Sequence, residues 1–119
     1  MAPRFTRYRD FWPYYLQEHA KPETRLIHFL GTGAAIAALI LALATRTWWL
    51  LAAVPVAGYA PAWFAHFFVE HNRPATFTYP LWSLASDFRM FFLWCAGALE
   101  PELVRAGVVA DPRGQHRGA

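Results

Sequence analysis

The residues with the most chemistry to offer are histidines. Five are present, four of them before residue 72: Glu18-His19, His28, His66 and Glu70-His71. The fifth, His116, stands in a Gly- and Arg-containing C-terminal stretch and is given no role. Suppose that residues 25–44 and 48–69 form an antiparallel helical pair with its tip at Arg46. His28 then lies 18 residues before the tip and His66 lies 20 after it. At the helical rise, both are about 27 to 30 Å from the tip. Antiparallel packing would bring them to nearly the same depth, with His19 and Glu70-His71 just outside on the same side. His66 and Glu70 are also i, i+4 neighbours on a helix. Imidazole nitrogens and a carboxylate converging in this way suit a borderline transition metal such as Fe(II) or Zn(II). Two alternatives stand beside the metal. The histidines could be interfacial residues bonded to backbone or lipid head groups. Glu70, Asp87 and the histidines could also form the proton relay of a small transporter.

The elements that must position these residues are read from charge and hydropathy. The chain is 56% hydrophobic and 16% charged, against about a quarter charged in a typical soluble domain. Residues 26–44 contain no Asp, Glu, Lys or Arg, and neither do residues 48–69. Each run is about the length that an α-helix needs to cross a hydrocarbon core. The turn between them is Thr45-Arg46-Thr47, and Trp48 and Trp49 follow it where an interfacial aromatic belt belongs. Pro55 and Pro61 predict kinks in the second span. Gly31, Ala35 and Leu39 share a face of the first span, where small residues permit close helix approach.

Before the hairpin, Phe5, Tyr8, Trp12, Tyr15, Leu16 and His19 recur at helical spacing. They predict an amphipathic interfacial helix, with a bend at Pro13. Residues 20–24 read as a turn, with Thr24 as cap of the first span. The third apolar stretch, residues 79–99, is interrupted by Asp87 and Arg89. It fits a short interfacial helix to about Arg89 followed by a partial or full span. The expectation is therefore an all-α, small integral membrane helix bundle with an N-terminal amphipathic interfacial helix. A single domain covers residues 1–104 and a mobile tail covers residues 105–119.

Other function classes fare worse. The formal charge of +3 comes largely from Arg4, Arg7, Arg9, Lys21 and Arg25 ahead of the first span. That bias predicts a cytoplasmic N-terminus rather than a nucleic-acid surface. Gly31-Thr32-Gly33 has no strand before it and is no phosphate loop. The lone Cys95 cannot form an internal disulfide and has no neighbouring histidine. Ala42-Leu43-Ala44 resembles a signal-peptidase site, but the long, aromatic, acid-containing segment ahead of it argues for a retained helix.

Several motifs add a resemblance. They begin with Phe11-Trp12-Pro13-Tyr14-Tyr15-Leu16-Gln17-Glu18-His19 and Arg25-Leu26-Ile27-His28-Phe29-Leu30-Gly31-Thr32. Gly58-Tyr59, Ala62-Trp63-Phe64-Ala65-His66-Phe67-Phe68-Val69-Glu70 and Asn72-Arg73-Pro74-Ala75-Thr76-Phe77 follow. Tyr79-Pro80-Leu81-Trp82-Ser83-Leu84 and Asp87-Phe88-Arg89-Met90 complete the order. Over about residues 11–92 this resembles a small membrane-protein family once called a domain of unknown function. Its fungal member is the Fe(II)-dependent 2-hydroxy fatty acid dioxygenase of phytosphingosine breakdown.

The resemblance implies His19, His28 and His66 as metal ligands for Fe(II), with Glu70 as a fourth ligand or close neighbour. Glu70 and Asn72 match the family pattern, and with Asp87 they form the expected catalytic set. His71 fills a position where other members often carry Lys or Arg. The implied partners are a 2-hydroxy fatty acid, O2 and membrane lipid, with no nucleic acid. The implied reaction is α-oxidation to the fatty acid one carbon shorter. Arg25, Arg73 and Arg89 are the candidates to pair with the substrate carboxylate, beside the plainer reading of each as a membrane-edge snorkelling residue. The expected location is a bacterial inner membrane, with the metal site near the cytoplasmic face.

Overall fold

The computed structural model describes residues 5–109, which form an all-helical bundle without a strand among the described residues. Five α-helices follow in order: α1 (Tyr8–Gln17), α2 (Pro22–Thr45), α3 (Leu50–Phe64), α4 (Pro80–Cys95) and α5 (Leu99–Arg105). The last turns of α3 widen into a π-helical segment, Ala65–Glu70. A short 3-10 turn, Ala75–Phe77, precedes α4.

The hairpin is α2 against α3, and both helices are long and apolar enough to cross a membrane. Helix α2 starts three residues before the expected Arg25, because Pro22 occupies its first position. There proline's missing N–H costs nothing and its φ is already helical. Thr24 therefore lies inside the first turn and does not cap it. At the other end Arg46 adopts φ 53°, a left-handed residue that stops the helix and turns the chain. The two helices touch closely at Gly31. A Cβ there would sit 2.9 Å from the Ala57 carbonyl oxygen, a gap that only glycine fits. Outward, the pair shows Leu30, Ile40, Leu43, Val56 and Phe68, each more than half exposed. An apolar surface of this extent suits hydrocarbon rather than water.

The aromatic stripe of α1 is turned into the protein. Phe11, Trp12, Tyr15 and Leu16 are buried in a core shared with Phe29, Met90, Leu99 and Leu103. Its polar tips are all paired. The Tyr8 hydroxyl lies 2.8 Å from Ser86 Oγ, and Trp12 Nε1 donates to Glu102 at 2.9 Å. Gln17 donates to the Ala106 carbonyl at 3.0 Å. The basic Arg7 and Arg9 remain exposed.

The third apolar stretch is one unbroken helix, α4, rather than an interfacial helix followed by a span. Its 16 residues give about 24 Å, short of a hydrocarbon core. Gly97, at φ 72°, then turns the chain into α5. Ala106, Val108 and Val109 pack on the same core, past the boundary expected at residue 104. His116 lies outside the described residues.

Candidate metal centre

Three elements deliver one histidine each. His19 follows the end of α1, where its backbone N–H bonds the Leu16 carbonyl at 3.0 Å. His28 lies in the second turn of α2, and His66 lies on the π segment that ends α3. All three are buried, at 1%, 4% and 2% exposure. One ring nitrogen from each falls within 4.8 Å of the others. The His19 ring stands edge-on to both partners, with centroids 4.6 Å from His28 and 4.5 Å from His66.

Two of the three rings are held by a hydrogen bond at the other nitrogen. His19 Nδ1 lies 2.7 Å from the Tyr15 carbonyl oxygen. A carbonyl only accepts, so Nδ1 carries the proton and Nε2 keeps a lone pair. His66 Nδ1 lies 2.7 Å from Asn72 Oδ1. Asn72 Nδ2 donates to the Glu18 carbonyl at 3.1 Å and to its Oε1 at 3.2 Å, which fixes the amide's orientation. His66 therefore also donates from Nδ1 and keeps its lone pair on Nε2. His28 Nδ1 faces Asp87 Oδ1 at 3.8 Å, and that same oxygen accepts the Tyr15 hydroxyl in a short hydrogen bond. Backbone, amide and carboxylate partners of this kind orient metal-binding imidazoles.

The consequence lies between His19 and His66. Their Nε2 atoms are 3.1 Å apart and both are acceptors. Two lone pairs at that distance repel unless a cation or a proton stands between them. Two imidazoles bound to one metal at about 2.1 Å place their nitrogens about 3.0 to 3.4 Å apart. The donor set thus fits a borderline divalent ion, with three neutral nitrogens and positions left open.

Electrostatics favours the neutral rings. Burial holds the His19 pKa well below its usual value, and the neighbouring His28 and His66 add to the effect. Burial pushes Asp87 up to about 7, against the opposing pull of the Tyr15 hydrogen bond. Burial likewise raises the Tyr15 phenol, and the Asp87 carboxyl beside it adds to that rise.

The other sequence-expected residues are dispersed. Glu70 is not brought into the cluster. Its Oε2 accepts from the Lys21 backbone N–H at 2.6 Å and the Thr24 hydroxyl at 2.8 Å. The i, i+4 spacing does not bring Glu70 to the histidines because its carboxylate is engaged at the start of α2. Glu70 instead neutralises the positive end of α2. His71 is exposed at φ 62° and ends the helix, the role glycine often fills. Asn72 and Asp87 do reach the site, as partners of His66 and His28. Arg25 Nη1 donates to the His19 and Ala20 carbonyls at 2.8 and 2.9 Å, bracing the chain at the cluster's edge. Arg73 lies over the Phe77 ring and Arg89 over Trp12, so both are engaged on aromatic faces rather than on the histidines. Tyr15 was read only as part of an apolar stripe. Its place four residues before His19 was the available signal.

Fold and site together define a helical protein with two helices able to span a membrane and a three-histidine cluster able to hold a metal ion. The model of the family described as 2-hydroxy-palmitic acid dioxygenase Mpo1-like matches residues 5–99, and the chain belongs to that family. No curated protein and no solved structure matches the chain.

Proposed function

We propose that the protein is an Fe(II)-dependent dioxygenase that shortens a 2-hydroxy fatty acid by one carbon, with His19, His28 and His66 as the iron ligands. The observation that carries this reading is the pair of facing Nε2 lone pairs 3.1 Å apart, with His28 beside them. The family description supplies the substrate class. Bound Fe(II) would supply a centre at which a 2-hydroxy acid and O2 can meet. The overall conversion balances without another reductant: C1 leaves as carbon dioxide, C2 becomes the new carboxyl, and one water forms.

The chain's own residues set the conditions. Tyr15 O and Asn72 Oδ1 hold the Nδ1–H groups of His19 and His66, so that their two Nε2 lone pairs would face a bound metal, and Asp87 stands beside His28. With the Tyr15 phenol, Asp87 forms a unit able to hold a proton there. The alternative of a proton relay needs titratable groups along the hairpin. Apart from Tyr59, residues 29–45 and 48–65 offer none, so the polar network ends near one face.

Anaerobically purified protein should contain iron near one equivalent and, with O2, convert 2-hydroxypalmitic acid to the acid one carbon shorter. His28→Ala should lose both metal and product while remaining folded. Stoichiometric metal retained in His19→Ala, His28→Ala and His66→Ala alike would sink the proposal.

A further inference from the structure

A cavity of about 380 Å³ opens between α2, α3 and α4. Thr32 and Ala35 wall it from α2, Val54, Pro55, Gly58 and Tyr59 from α3, and Leu84, Asp87 and Phe88 from α4. It begins beside the histidines: Asp87 Oδ1 is 3.8 Å from His28 Nδ1, and Thr32 lies one turn beyond His28 on the same face of α2. It ends far from them, since Val54 lies 12 residues before His66 on α3, about 18 Å of helix. The polar atoms sit at the histidine end, and beyond Tyr59 the walls are hydrocarbon. Small residues create the space. Gly58 has no side chain, and a Cβ placed there would approach only Ala35 Cβ, at 3.7 Å.

We propose that this cavity seats the hydrocarbon chain of the 2-hydroxy acid, and that Val54 at its far end sets the chain length accepted. The proposal rests on the dioxygenase reading for the identity of the head group. Polarity argues for one amphiphile in one orientation, with its polar end at Asp87 and its methyl end toward Val54. Volume argues for a single chain. A methylene occupies about as much space as a water molecule, about 30 Å³ in the liquid, so the cavity matches about a dozen methylenes. A two-chain lipid could place only one of its chains there. Leu84 and Phe88 are partly exposed at the rim, which opens the cavity sideways on the bundle surface, where a lipid chain would enter from the bilayer.

The test is photo-crosslinking of the full chain in phospholipid nanodiscs, using 2-hydroxypalmitic acid that carries a diazirine near its methyl end. Labels are expected on Val54 and Pro55 at the far end of the cavity and not on Tyr59 or Asp87 at its polar end. Val54→Trp, and independently Leu84→Trp, should weaken capture of this probe roughly tenfold, as expected when about two methylenes lose their seat. A probe several carbons shorter should still be captured by Val54→Trp. Labels scattered over outward residues such as Ile40 and Leu43, or unchanged in both variants, would overturn the proposal. So would full competition by the nanodisc phospholipid, which would make the cavity an ordinary lipid seat. Crosslinking needs neither metal nor O2, so the two readings separate. Labelled walls without shortened product would leave the cavity standing and remove the reaction. Equal turnover of the long chain in wild type and both variants would do the reverse.

Discussion

Asn72 does two jobs with one amide, accepting from His66 and donating to Glu18. Asn72→Ala should therefore leave the fold intact while lowering metal affinity about 10- to 100-fold, the usual effect of removing a ligand's hydrogen-bond partner. Titration of metal-free protein with Fe(II) or Zn(II) reads this directly. Glu70→Ala should show the converse. It should keep stoichiometric metal but unfold more easily, by about 1 kcal/mol, because the start of α2 loses its acceptor. The pH response follows from two groups of opposite sign. The folded chain keeps His19 neutral below its ordinary value of 6.5, where the unfolded chain takes up a proton. Its contribution to stability is present above about 6.5 and is lost as pH falls. Asp87 is held protonated up to about 7 against an ordinary 3.8, so its contribution is present at low pH and lost as pH rises through 7. The two partly offset one another between pH 4 and 6.5 in metal-free wild type. Asp87→Asn removes the compensating group, so its thermal midpoint should fall more steeply on acidification than that of wild type.

Between residue and molecule stand the helices, and they differ in how far the sequence revealed them. The hairpin was legible because its signal is crude: two uncharged runs and a three-residue turn allow few arrangements, and helical rise then levels His28 with His66. Helix α1 was visible as a stripe, but amphipathicity does not say what covers an apolar face. Here α4 and α5 cover it, through pairings such as Trp12 with Glu102, 90 residues apart. The π segment left no mark in the pattern, nor did the pairing of Glu70 with Lys21 and Thr24 at the start of α2. Asp87 looked like an interruption of a span because its partners, Tyr15 and His28, lie on other helices. The closest backbone approach is testable at this level. Gly31→Leu would force a side chain into the Ala57 carbonyl, separate α2 from α3 and cost about 1 to 3 kcal/mol. The same step moves His28 away from His66, so metal affinity should fall along with thermal stability. A full loss of stability with unchanged metal affinity would show that the centre does not depend on the hairpin's register.

For the whole molecule, the distance from His28 to Arg46 is about 27 Å of helix, close to the thickness of a hydrocarbon core. The histidines and the turn would then lie at opposite faces of one bilayer. Trp48 and Trp49, 57% and 71% exposed beside the turn, stand where an aromatic belt anchors the far interface. Lys21, whose Nζ donates to the Val69 carbonyl, stands near the histidine end of the hairpin, and Arg7 and Arg9 precede it in sequence, a bias that predicts a cytoplasmic side there. Single cysteines at Arg46 and at the exposed Arg73, in a Cys95→Ser background, test the arrangement. A membrane-impermeant thiol reagent added to intact cells should label Arg46→Cys and leave Arg73→Cys untouched until the membrane is opened. Labelling of both positions from one side would mean that the hairpin does not cross. Labelling of position 73 alone would invert the orientation and put the metal centre on the outer face. The expected result would place the three histidines at the cytoplasmic face, so that the proposed 2-hydroxy acid would reach them from that leaflet, its chain in the membrane and its head group at the surface.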